Sequence, residues 1–369
     1  MREFFANQRG LVLLAAVLLG GALASHSRLE GSAERLARAR LEQQRIGIER
    51  NVRRFDTSLR QAETSARHLA DRVSQAPAAV PGRLGSLDTG LERSPDGSLR
   101  SRRDRFQSDR DVGIALPAGK ALTPDSRRFL EHAQAITRSV GQERQRAPVA
   151  SSWVAPRDRT LVLYFPQIPD YLFRTSGLRQ SWRAPQLTYS APSQSPDGAP
   201  RWTPPIYDPA ARKWLISVVA PFFRNGTWAG AVGHDVVLSE LLDQLDGPGD
   251  GPSPIAQALY VADGEGRLLA ARRGGPRGLG EWLPDRYQPF LKQARAGRGQ
   301  QVFASGPDRV VVAPIPSLSA YAIYRLDGDA LRNGFPIRVG DLAVSRNLFL
   351  LGLTAGSVLW LWRGRTARP

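Results

Sequence analysis

Apolar residues recur at Ile48, Val52, Phe55, Leu59, Ala62, Ala66, Leu69 and Val73, in steps that alternate four and three. A period of 3.5 is that of a helix with one apolar stripe. Neither Pro nor Gly interrupts residues 48–75, and Pro77 closes the segment, so the pattern predicts one long helix over 29–75. Two readings of its stripe stay open. It lies along a globular body, or it forms the seam of a dimeric coiled coil.

The period changes further along. Residues 77–125 are rich in Gly, Pro, Ser, Arg and Asp and read as loops and short turns, with Pro95-Asp96-Gly97 as one of them. Helical spacing returns at Phe129, Ala133, Ile136 and Val140. From 153 the runs become strand-like: Leu161–Phe165, then Leu215–Phe223 and Trp228–Val236 joined across Asn225-Gly226. Asn-Gly between two such runs is a strong short-range hairpin signal. Val237–Leu245 reads as a helix, and 246–254 as a linker whose Asp246 and Asp250 lack the spacing of a calcium loop. A second strand set comes next: Ala258–Ala262 and Arg267–Ala271 across a Gly-containing turn, a helix near 284–296, and strands at 301–305, 309–314 and 321–326.

Two uncharged runs stand at the ends. Leu11–Ala24 is short for a span, since a bilayer core takes about 20 residues. It ends in Ala22-Leu23-Ala24, so an uncleaved anchor and a cleaved signal peptide both fit, and both export the chain beyond residue 25. Leu348–Trp362 is followed by Arg363, Arg365 and Arg368, and Trp360 and Trp362 stand where interfacial aromatics belong. Gly352 and Gly356 in this run form a G-x-x-x-G pair that permits close helix approach.

Composition removes several chemistries. Cysteine is absent from the 369 residues, which excludes disulfides, thiolate metal sites and a thiol nucleophile. The four His (His26, His68, His132, His234) are far apart in sequence, and neither a metal nor another cofactor is expected. The net charge of +17 suggests an anionic partner. Yet only Lys120, Lys213 and Lys292 are lysines, and the many arginines are interleaved with acids, so nucleic acid is not the expected partner; a basic surface near anionic lipid is. No G-x-S-x-G, P-loop or H-E-x-x-H motif is present, and no enzyme activity is expected.

The block Trp202–Leu245 resembles the core of a double Cache (PDC, PAS-like periplasmic) sensor domain. The resemblance is carried by W-T-P-P-I-Y-D at 202–208, K-W-L-I-S-V-V-A-P at 213–221 and G-A-V-G-H-D at 230–235 leading into L-S-E-L-L. Upstream, D-G-S-L-R-S-R-R-D-R-F at 96–106 and L-V-L-Y-F-P at 161–166 are also similar. The resemblance implies a mixed α/β fold, with a long N-terminal helix carrying two PAS-like antiparallel-sheet modules between two membrane helices. The segments are then a cytoplasmic N-terminus (1–10), a first membrane segment (11–25), an exported helix (26–76), a membrane-distal module (77–245), the linker (246–254), a membrane-proximal module (255–340), a second membrane helix (347–362) and a cytoplasmic basic tail (363–369). Residues 26–346 are then outside a bacterial inner membrane.

In such domains carboxylates hold a ligand amine, and Asp208 and Asp235 match those positions. An ammonium group taken out of water needs a charged acceptor. The family's carboxylate-holding R-x-W-Y segment is not intact here; Arg179, Trp182 and Arg183 are its nearest counterparts. Tyr164, Tyr171, Tyr189 and Tyr207 are candidates to line the pocket, with Trp202 beside them. Each residue also has a plainer reading: Asp235 as the cap of the following helix, Asp208 as a turn former before Pro209, Trp182 and Trp202 as core. His234 alternates with Asp235 and should face the other way. The implied function is a membrane-anchored sensor of a small molecule, an amine or amino acid, working as a homodimer. Only seven residues follow Trp362, so its signal is expected to pass to a separate partner protein. A scaffold that keeps the fold without binding ligand, and an excised receptor fragment, are the alternatives.

Overall fold

The computed structural model describes the backbone of residues 2–75, 90–120, 122–144, 149–168, 170–173, 185–246, 256–272, 281–297 and 299–333 and, within them, most side chains from 34 onward. The chain divides into two compact units. One is Gly47–Phe303 with Val310–Arg325; the other is Met1–Ile46, Ala304–Arg309 and Leu326–Pro369. In the latter, the Arg40 guanidinium donates to the Leu331 carbonyl at 3.5 Å. The former holds the whole of the larger β-sheet, and with it Asp208 and Asp235.

Helix α1 runs without a break over Arg2–Ser74. All eight residues of its apolar stripe are buried, from Ile48 at 6% exposure to Leu59, Ala66, Leu69 and Val73 at 0%. The stripe is therefore consumed by packing within this chain, and a coiled coil through it has no apolar seam left. Each large side chain buried this way contributes roughly 1.5–3 kcal/mol. Polar contacts fix the helix as well. Asp56 accepts the Ser317 N–H at 2.9 Å, and Asn51 donates to the Leu245 carbonyl at 3.4 Å.

The larger sheet has nine strands: β1 (Leu91–Arg93), β2 (Leu99–Ser101), β3 (Gly113–Leu116), β4 (Val149–Pro156), β5 (Leu161–Tyr164), β6 (Arg201–Trp202), β7 (Ile206–Asp208), β8 (Lys213–Arg224) and β9 (Thr227–Val237). Their order is β1-β2-β3-β5-β4-β9-β8-β6, with β7 also on β8. The strands pair antiparallel throughout, including β4 with β9 and β8 with β9. The expected loops of 77–125 thus contain three short strands. Their three- and four-residue lengths leave too little alternation to read from sequence, and 76–89 lie outside the described residues. The β8–β9 hairpin turns where expected. Asn225 (φ 51°) and Gly226 (φ 74°) take the two left-handed positions that such a two-residue loop requires.

The two faces of this sheet bury different things. On one, α1 and helix α2 (Pro124–Arg144) pack through Leu69, Val73, Phe129, Ala133 and Ile136 against Val154, Val162, Val218 and Val232. On the other, loops and the short helix α3 (Pro185–Ser190) cover Trp153, Leu163, Leu215, Val219 and Ala231. After helix α4 (Leu238–Asp246) comes the smaller sheet, of β10 (Ala256–Asp263), β11 (Leu268–Arg272), β12 (Gln301–Ser305), β13 (Asp308–Ile315) and β14 (Ala320–Leu326), in the order β11-β10-β14-β13-β12. Helix α5 (Gln288–Ala296) packs on it through Leu291 and Ala294.

Among the described residues no helix is long and apolar enough to cross a membrane. The Leu11–Ala24 run lies within the backbone of α1, but its side chains fall outside the described set. The run Leu348–Trp362, its Gly352/Gly356 pair and the basic tail lie outside it altogether.

Candidate functional site

Asp235 is on β9, in the middle of the larger sheet. In the ladder it stands opposite Ser151 of β4 and Ser217 of β8. Residues directly opposite in a ladder share a face, so the three form one row. Its carboxylate accepts three hydrogen bonds: from Ser151 Oγ at 2.5 Å, Ser217 Oγ at 2.6 Å and Trp153 Nε1 at 2.9 Å. The side chain is 7% exposed. It does not cap α4, because both oxygens are engaged on the sheet face.

Trp153 reaches Asp235 because its cross-strand neighbour is Gly233. A Cβ at Gly233 would stand 2.6 Å from the indole and 2.5 Å from the Val218 carbonyl oxygen. The second glycine of the G-A-V-G-H-D run is thus the floor on which the indole lies. Nothing in composition marks this, but a polar pair in the apolar run V-A-S-S-W-V-A and a lone Ser in L-I-S-V-V-A are visible in the sequence. They are the signal by which Ser151, Trp153 and Ser217 could have been found.

Asp208 ends β7. Its Oδ1 accepts the N–H groups of Ala210 (2.8 Å) and Ala211 (3.0 Å), which is the turn-forming role, while its Oδ2 accepts the Tyr171 hydroxyl at 2.9 Å. Tyr171 belongs to the loop-covered face, where it packs 5.3 Å from the Phe165 ring. The Tyr171–Phe173 turn is held by Arg100 of β2, whose Nη1 donates to the Leu172 carbonyl at 3.2 Å. Arg100 is itself buried beside Asp96, with Nη2 2.6 Å from Asp96 Oδ2 and Nε 2.9 Å from Ser98 Oγ. The D-G-S-L-R motif is therefore a buried clamp on the loop that carries Tyr171.

The structure thus joins Asp208, Asp235 and Tyr171 on the loop-covered face, with Ser151, Trp153 and Ser217 around them. It does not bring Tyr164, Trp202 or Tyr207 there. Tyr164 stands opposite Ser152, Ser152 opposite His234, His234 opposite Val218, and Val218 opposite Trp202. That row faces the helices. Accordingly Tyr164 is core, with its hydroxyl on the Asp109 carbonyl, and Trp202 donates Nε1 to Glu63 of α1 at 2.7 Å. His234, fully buried, bridges Ser152 (2.9 Å) and Ser65 of α1 (3.0 Å). Tyr207 is 46% exposed and packs edge-on against Trp214, away from Asp208 as strand alternation requires. Tyr189 is half-buried on α3, the helix that covers the loop-covered face. Arg179, Trp182 and Arg183 lie outside the described residues.

The electrostatics of the pair are one-sided. Burial pushes the Asp235 carboxyl above the usual range; the Ser151, Ser217 and Trp153 hydrogen bonds oppose this, and the nearby Asp208 charge adds to it. Lys213, opposite Asp208 in the ladder, pairs instead with Glu240 at 3.5 Å. Among the described residues neither Asp208 nor Asp235 forms an ion pair. A carboxyl raised on folding binds its proton more tightly in the native than in the unfolded chain. Its contribution to stability therefore falls as pH rises from about 3.9 through the raised value. Asp235→Asn, which cannot ionise, is expected to flatten that decline. Urea midpoints of both proteins across this range check it; identical slopes would show that Asp235 does not titrate abnormally.

No protein-family model and no curated relative matches the sequence. Solved structures do. The sensory domain of the Campylobacter jejuni chemoreceptor Tlp3 with isoleucine bound is 10% identical, with a TM-score of 0.43, over 80% of this chain and 97% of that one. The ligand-binding domain of Mlp24 with asparagine is 14% identical, TM-score 0.40, over 83% and 98%. That of the Pseudomonas aeruginosa amino acid chemoreceptor PctB with L-Arg is 16% identical, TM-score 0.36, over 54% and 79%. The first is a sensory domain and the other two are ligand-binding domains.

Proposed function

We propose that this chain is a membrane-anchored, extracytoplasmic sensor whose larger sheet binds a small molecule with an ammonium group, an amino acid or an amine. One observation carries the reading: two carboxylates, one of them buried, share a face with Tyr171 and have no cationic partner among the described residues. A ligand ammonium supplies the missing charge, and a buried charge pair of that kind is favourable where water is excluded. The segment holding Arg179, Trp182 and Arg183 follows Tyr171 in sequence and would supply contacts to a ligand carboxylate. The two apolar end runs would hold the domain at the membrane. The signal would be a population shift, so the ligand must favour one arrangement of the domain over another.

A thermal-shift screen of the full chain against amino acids, amines, carboxylates, purines and sugars tests this. A ligand at about 100 times its dissociation constant stabilises by roughly 2.7 kcal/mol. Amines or amino acids are the expected hits, and their affinity should rise with pH as Asp235 ionises. Hits confined to uncharged or anionic compounds would sink the reading. One observation favours a second function, a scaffold that binds no ligand: Asp235 already has three internal donors. A folded chain with no hit would favour it.

A further inference from the structure

The larger sheet has a cavity of about 230 Å³ on the face that carries the helices and therefore away from Asp208 and Asp235. It lies where the start of α2 meets the ends of β4 and β8. Its apolar part is a wall of rings: Phe129 of α2 and Phe222 of β8 are stacked on each other with centroids 5.8 Å apart, and Leu130 is buried beside them. Its polar part is cationic. Lys120, Arg157 and Arg224 line it against the single carboxylate of Asp158, and that carboxylate is taken by Lys120.

Arg157 and Arg224 are left without an acid. Each guanidinium lies on an aromatic ring instead, Arg224 at 5.2 Å over Phe129 and Arg157 at 5.2 Å over Trp228. Neither has an ion pair among the described residues. Stacking on a ring holds the guanidinium plane but leaves its N–H edge free, and that edge is the part that binds a carboxylate in two-pronged fashion. Two such edges beside an aromatic wall are complementary to a small anion with an apolar body. The volume is below the 300 Å³ or so at which sites for drug-sized ligands begin, so the body is a single ring or a short chain.

We propose that this cavity is a second ligand site, for a small monocarboxylate with an aromatic or short aliphatic body. The carboxylate lies between Arg157 and Arg224 and the body lies against Phe129 and Phe222. Because α2 forms one wall, occupancy would stiffen the packing of α2 on the sheet independently of the Asp235 site.

Calorimetric titration of the full chain in detergent with phenylacetate tests this, with phenylacetate into detergent alone as the blank. The neutral isostere phenylacetamide is titrated in parallel. The expected result is saturable one-to-one binding of phenylacetate that weakens with added salt. Phenylacetamide should bind on the order of tenfold or more weakly, since hydrogen bonds to a charged group are the strong ones. Arg157→Gln and Arg224→Gln should each weaken phenylacetate by a similar factor, while Asp235→Asn leaves it unchanged. No saturable heat from a folded chain, equal binding of acid and amide, or binding lost only in Asp235→Asn would each overturn the assignment. The acid-against-amide comparison needs no variant, so a folding defect cannot mask the answer. The amine screen of the Asp235 site is read separately, and either can fail without the other.

Discussion

Arg100→Ala is expected to lower stability by about 3–5 kcal/mol, the cost of removing one partner of a buried ion pair. The Arg100 and Asp96 side chains are only 3% and 7% exposed, so the variant leaves Asp96 charged and buried without its counter-ion. It also strips the Leu172 carbonyl of its donor and frees the turn that presents Tyr171 to Asp208. Thermal melts should drop by on the order of 10 °C. Burial pushes the Asp96 carboxyl up, but the Ser98 hydrogen bonds and the Arg100 charge outweigh it and hold it below the usual range. That contribution is present above the unfolded value and is lost as pH falls through the folded one. The gap between wild type and variant should therefore narrow on acidification. An Asp96→Leu/Arg100→Met double variant should recover most of the loss, because no lone charge remains. A single variant that melts within a degree of wild type would contradict the clamp.

Gly233→Ala is the second large effect. The added methyl meets the Val218 carbonyl oxygen at 2.5 Å and the Trp153 ring at 2.6 Å. Neither can yield cheaply. The Val218 carbonyl is backbone in the β8–β9 ladder, and the Trp153 ring is tied to Asp235 through its Nε1. Overpacking of this kind costs about 3 kcal/mol when relaxation is blocked. The variant should also change the intrinsic fluorescence, since the indole must leave Asp235. Gly226→Ala is the control. Gly226 has φ of 74° and open space around it, so only backbone strain of about 1 kcal/mol is expected. Equal losses for the two, measured as urea midpoints, would show that the floor beneath Trp153 is not under steric constraint.

Much of the fold is legible in the pattern. The stripe from Ile48 to Val73 predicts α1 and its buried face, and Asn225-Gly226 predicts the hairpin that carries Asp235. Alternation along β9 separates His234 from Asp235, and the structure places them on opposite faces. What cannot be read is register. Tyr164 and Trp202 stand in apolar or turn-rich runs that fit either face, and only the rows linking them to His234 assign them to the helices. Strands β1 to β3 are too short and too charged to show a period. The role of Arg100 is hidden for a related reason: in a chain with 51 basic residues, one buried arginine carries no compositional mark.

The most direct test of the sensor reading is calorimetry of the full chain with the best amine or amino acid from the screen, against the same compound with its nitrogen acetylated. Wild type should bind the free amine. Acetylation, Asp208→Asn and Asp235→Asn should each weaken binding, the last by on the order of 30-fold or more, as expected when one member of a desolvated charge pair is neutralised. Binding that is indifferent to acetylation and to both substitutions would contradict the account, because the ammonium would then not be held by these two carboxylates.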